Sequence, residues 1–119
     1  MTGRLLGSKT VNTFLELMQS VEGVELGELE PMTTVLVWTW NSLYRVVVSE
    51  GSDVLVQGGL LFPQPTPAHV DGASTGGGPL KIGWIGLGLM MELHVSGQRI
   101  VTTPVIAIAT ERTGMFTVH

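Results

Sequence analysis

From Met32 to Ala109 the chain is a succession of short β-branched and aromatic runs, each cut off by glycine, proline, asparagine or serine. Runs of this length with period-two alternation leave room for short strands and little else. Met32 to Trp40 (MTTVLVWTW) places Leu36, Trp38 and Trp40 on one face and Val35, Val37 and Thr39 on the other. Apolar groups on both faces predict a central or twice-covered strand. Tyr44 to Ser49 and Val54 to Gln57 read as the arms of a hairpin, with Glu50-Gly51-Ser52-Asp53 as its turn. Lys81 to Val95 carries bends at Gly83, Gly86 and Gly88; then Met91, Leu93 and Val95 alternate with Glu92 and His94 as a half-buried strand with an exposed polar face. Ser96-Gly97-Gln98 turns the chain into Arg99 to Thr103, Pro104 interrupts the ladder, and Val105 to Ala109 forms the last strand. The expected fold is mainly β, a small antiparallel β-barrel or sandwich over residues 30–109; alternation and turn spacing do not separate the two.

Ahead of it, residues 8–22 predict a helix, because Val11, Phe14, Leu15 and Met18 form one stripe. Ser8 or Thr10 would cap its start and Gly23 its end. The whole chain of 119 residues is of a size for one domain. It contains no cysteine, which excludes disulfides, thiolate catalysis and cysteine-ligated zinc.

Charge narrows the possible partners. Only 13% of residues are charged, the net charge is −4 and the pI is near 5.2. That charged share is about half the usual ~25%, so neutral or apolar surface is expected to be covered by a second copy of the chain. Arg4, Lys9, Arg45, Lys81, Arg99 and Arg112 are scattered, which argues against nucleic acid and against a basic membrane-surface patch. Met1 to Lys9 lacks the apolar core of a signal peptide, and the longest apolar stretch, Ile82 to Val95, contains Glu92 and His94. A soluble, cytoplasmic protein is expected.

Residues 63–79, with Pro63, Pro65, Pro67 and Pro79 and four glycines, read as a long irregular stretch of the kind that often carries function. Within it, Ser74-Thr75-Gly76-Gly77-Gly78 followed by Lys81 is the candidate site for a small anionic ligand. Consecutive glycines turn backbone N–H groups toward an anion, Lys81 adds charge, and Trp84 offers a face for a base. The structural alternative is a plain loop. The spacing is not that of a Walker loop, and Pro79 removes a donor. Gly83-Trp84-Ile85-Gly86-Leu87-Gly88 does not fit a dinucleotide fingerprint and is better read as strand bends. His69, His94 and His119 have no metal-ligand spacing. A His69–Asp71 pair would be a possible base, though solvated loop residues explain both. No nucleophile with a positioned base, no metal and no cofactor is expected.

Asp71-Gly72-Ala73-Ser74 loosely resembles the [DN]-x-S-x-x-G motif of PilZ domains, small β-barrels that bind a cyclic dinucleotide. Here the serine follows the acid by three residues, and the family's Arg-x-x-x-Arg element is absent, so arginine recognition of phosphate is not implied. A broader set comprises Asn41 to Arg45, Phe62-Pro63 with Pro65-Thr66, Gly83 to Gly86 with Gly88, and Val101 to Val105. Together these segments resemble a group of small uncharacterised bacterial proteins. That resemblance spans roughly residues 30–109 and implies a stand-alone β domain without an assigned activity.

Three functions are compatible with these observations. A non-enzymatic binding or assembly module, homo-oligomeric, comes first. A small-ligand or nucleotide sensor using residues 63–81 comes second. A small hydrolase or isomerase with His69, Asp71 or Glu92 as base comes last.

Overall fold

The fold is that of a computed structural model, which describes residues 20–112. In chain order the strands are β1 (Ser20–Val21), β2 (Gly23–Glu25), β3 (Thr33–Thr39), β4 (Leu43–Glu50), β5 (Asp53–Gly58), β6 (Phe62–Ser74), β7 (Lys81–Ile82), β8 (Trp84–Gly86), β9 (Met90–Val95) and β10 (Gln98–Arg112). One 3-10 turn, Leu26–Glu28, follows β2. The mainly β expectation is met, with antiparallel pairing throughout.

The helix expected over residues 8–22 falls largely outside the described residues. Its last residues do not continue a helix: Ser20 and Val21 pair with Ala109 and Ile108 of β10. Gly23 opens β2 instead of capping a helix. A Cβ on Gly23 would lie 2.2 Å from the Trp84 ring, so this position needs glycine for close approach.

Short turns set the local registers. Glu50 faces Asp53 across Gly51-Ser52, with Gly51 at φ 60°. Val95 faces Gln98 across Ser96-Gly97, both with positive φ, the pattern of a type I′ hairpin turn. Pairing then runs β10–β3–β4–β5–β6–β9 and from β9 back to β10, so the hydrogen-bonded path closes on itself. β1 and β7 are attached to β10 and β6.

Two expectations about the prolines are corrected. Of residues 63–79, read as irregular, 63–74 belong to the long strand β6. Pro63, Pro65 and Pro67 alternate, so their missing donors all face the same edge of the strand. β9 joins β6 only from His69 onward, so that edge has no neighbour to bond with over the proline stretch. Pro104 does not divide two strands either: β10 runs through it and changes partner there. Gln98 to Val101 and then Pro104 pair with β9, residues from Val105 to Arg112 pair with β3, and the register shifts on both sides of the change.

The core lies inside the closed path. Val35, Val37, Val46, Val48, Val54, Val56, Val70, Met91, Leu93, Val105 and Ile108 are buried there. The two-stranded ribbon β2–β8 brings Val24, Leu26 and Ile85 into the same cluster. Each such side chain contributes about 1.5–3 kcal/mol on burial. Leu36 and Trp38, on the opposite face of β3, are half-buried, so that face is partly covered.

Candidate functional site: a polar face on β6, β9 and β10

Alternation along β9 sends Met91 and Leu93 into the core and Glu92 and His94 outward. The register sets His69 of β6 beside His94, and His94 beside Arg99 of β10. Asp53 of β5 faces His69 from the other side. Four strands therefore present a row, Asp53–His69–His94–Arg99, with Asp71, Glu92 and Ser74 next to it.

Glu92 is the centre of the tightest cluster. It is only 6% exposed, against the expectation of a solvated polar face. Ser74 donates its hydroxyl proton to Glu92 Oε2, and the Gly76 N–H donates to Ser74 Oγ at 3.1 Å. Arg99 donates to Glu92 Oε1 from Nε at 3.1 Å and approaches it with Nη2 at 3.0 Å. The Ser74 hydrogen bond, followed by the bond and charge of Arg99, holds the Glu92 carboxyl below its ordinary value, against burial, which pushes it up.

His69 and Asp71 are neither the expected solvated loop residues nor a His69–Asp71 pair. His69 Nδ1 lies 2.9 Å from Asp53 Oδ1, and His94 Nδ1 lies 2.5 Å from Asp71 Oδ2. Ser74 contacts Glu92 and Gly76, not a histidine, so these residues do not assemble a nucleophile and imidazole base. Among the described residues no set of three or more His, Asp or Glu is placed to hold a metal ion.

The predicted anion site is brought together only in part. Thr75, Gly76, Gly77 and Gly78 form an exposed loop, and a Cβ on Gly77 would meet open space. Ser74 at its root is buried against Glu92. The Lys81 ammonium sits 3.8 Å above the Trp84 ring, so both side chains have a partner within the chain. Gly23 and Gly86 lie against the same indole.

Two further surfaces stand out. An open groove of about 350 Å³ crosses the outer face of β3 to β6, lined by Met32, Thr34, Arg45, Val47, Leu55, Gln57 and Pro65. Arg45 forms no ion pair among the described residues. At the tips of the neighbouring β3–β4 and β5–β6 hairpins, Trp40 is 73% exposed, Leu43 46%, Leu60 100% and Leu61 64%.

The hairpin turn after Val95 was readable, but it consists of Ser96-Gly97 and not of the expected Ser96-Gly97-Gln98; the shorter turn sets His94 opposite Arg99 and leaves Arg99 diagonal to Glu92. The Ser74–Glu92 and His69–His94 neighbours join segments far apart in sequence, and no local signal points to them. Among the described residues no helix is long and apolar enough to cross a membrane. Compared with protein-family models, with curated protein sequences and with solved structures, the chain matches none.

Proposed function

We propose that this protein is a non-enzymatic binding module, a small closed β-barrel that associates with copies of itself through the tips of two neighbouring hairpins. The observation that carries the reading is the apolar cluster at those tips: Trp40, Leu43, Leu60 and Leu61, all substantially exposed on turns adjacent in the sheet. A buried aromatic anchor such as Trp40 supplies much of the energy of such a contact, and the apolar residues around it exclude water. The low charged share of the chain agrees with this, because few charges stand in the way of apolar contact. The scattered basic residues argue against nucleic acid as the partner. Sedimentation of the full chain tests the reading. The expected result is a concentration-dependent oligomer that becomes monomeric in the Trp40→Ser/Leu61→Ser double variant, with melting unchanged. A wild-type chain that stays monomeric at high concentration sinks it.

A small anionic ligand is the second reading, favoured by Arg45, which forms no ion pair among the described residues, in its apolar-walled groove. The glycine loop with Lys81 is the competing position for the same chemistry. Thermal shift with small carboxylates and phosphates separates them: Arg45→Gln removes the response if the groove binds, and Gly77→Phe removes it if the loop does. A flat response in the wild type discards both positions.

A further inference from the structure

We propose that His69 and His94 form a surface site for a divalent transition-metal ion of the imidazole-preferring kind, with Asp53 and Asp71 as the carboxylates that orient the two rings. The case starts from register. His69 and His94 are direct cross-strand partners, both on the outer face of the sheet, with side chains 54% and 44% exposed. Direct cross-strand neighbours have Cβ atoms about 4.5–5.5 Å apart, a spacing from which two imidazoles reach one ion.

Tautomer is the second step. An ionised carboxylate only accepts hydrogen bonds, so the Nδ1 atoms 2.9 Å from Asp53 and 2.5 Å from Asp71 carry the protons. In the neutral ring the lone pair is then on Nε2. Neither ring has a second hydrogen-bond partner among the described residues. A carboxylate on one ring nitrogen with the other left open is the arrangement that raises imidazole basicity and orients it toward a metal. One such pair is a common surface feature; here two of them stand at directly paired positions of adjacent strands, on the same outer face.

Local charge favours a cation. Asp53 and Asp71 face this region from β5 and β6, and the cation beside it among the described residues is Arg99 of β10. Arg99 is turned onto Glu92, where its charge is neutralised, so it does not repel an ion at the histidines. Two nitrogen ligands, with no third protein donor among the described residues, leave open positions for water. Zinc, nickel and copper accept imidazole in this way, whereas magnesium and calcium prefer oxygen. The core forms without this site, so the ion would not hold the fold together.

Titration calorimetry of the full chain with zinc chloride, at neutral pH in a non-chelating buffer, tests the site. One ion per chain is expected. His69→Asn and His94→Asn should each weaken binding at least tenfold, while Asp71→Asn should weaken it by roughly 10–100-fold. His119→Asn serves as the control and should bind as the wild type does. Circular dichroism melts confirm that each variant is folded, and His69, His94 and Asp71 all lie outside the buried core. Absence of zinc binding in the wild type overturns the proposal. Binding that survives both His69→Asn and His94→Asn overturns it as well, because the ion is then elsewhere.

Discussion

Glu92 stands in surroundings unlike those of an ordinary strand carboxylate: nearly buried, it accepts from Ser74 and Arg99 while Gly76 secures Ser74. Its pKa lies below the ordinary value of 4.5 in the folded chain, chiefly through the Ser74 bond. The folded state therefore takes up this proton less readily than the unfolded chain does. The resulting stability is complete above the unfolded value and is lost as the pH falls through the depressed folded value. Urea midpoints measured from about pH 7 down to about pH 3 should fall more steeply for the wild type than for Glu92→Gln. At neutral pH the variant should be less stable by about 1 kcal/mol, the scale of a charge-assisted hydrogen bond exchanged for a neutral one. Parallel curves would remove Glu92 from the pH response. A second residue-scale effect sits at Met32. Thr33 N–H bonds Glu30 O at 3.1 Å across Pro31-Met32, and Met32 has φ 72°. That is the third position of a type II turn, which asks for glycine. Met32→Gly should raise stability by roughly 1 kcal/mol, seen as a higher melting temperature; a lower one would mean that the methionine side chain contributes more in the groove than its backbone loses.

At the scale of elements, the β2–β8 ribbon carries more weight than its length suggests. Leu26 and Ile85 are fully buried and Val24 nearly so, although each strand of the ribbon has three residues. Ile85→Ala should cost about 2–5 kcal/mol in chemical unfolding, the range for emptying a close-packed site. A loss under 1 kcal/mol would show that the ribbon is a loose flap. The sequence made β3, the β4–β5 hairpin and the existence of a turn after Val95 legible, because alternation and turn chemistry are local properties; the turn itself is one residue shorter than expected, since Gln98 already pairs with Val95. It did not make β6 legible: Pro63, Pro65 and Pro67 mark a loop by composition, and only the empty neighbouring edge makes them compatible with a strand. β10 misled for a similar reason, since Pro104 ends one pairing yet the next begins at Val105 on another strand. Of the candidate site, the residues of the glycine loop were visible and their partners were not. Lys81 meets Trp84, and Ser74 meets Glu92, through a register set by β6, β7 and β9 together.

For the whole molecule, two surfaces compete as contact faces, and they differ in the force that would operate. The hairpin tips offer Trp40, Leu43, Leu60 and Leu61, whereas the face of β5, β6, β9 and β10 offers Asp53, His69, Asp71, His94 and Arg99. Salt separates them. Contacts between exposed charges weaken as the Debye length shrinks from about 30 Å at 0.01 M to about 3 Å at 1 M. Apolar contacts are not screened, and the chain carries a net charge of −4, so copies that repel one another at low salt approach more easily once that charge is screened. Association through the tips should therefore hold or tighten when sodium chloride rises over that range. It should also weaken on cooling, since apolar burial loses driving force at low temperature. Sedimentation at several salt concentrations reads this directly. An oligomer that dissociates as salt is added is held by the charged face, and the tips then lose their place as the contact between copies. An oligomer that persists in salt and disappears in the Trp40→Ser/Leu61→Ser variant fixes the contact at the turns, leaving the histidine row open to solvent and to an ion.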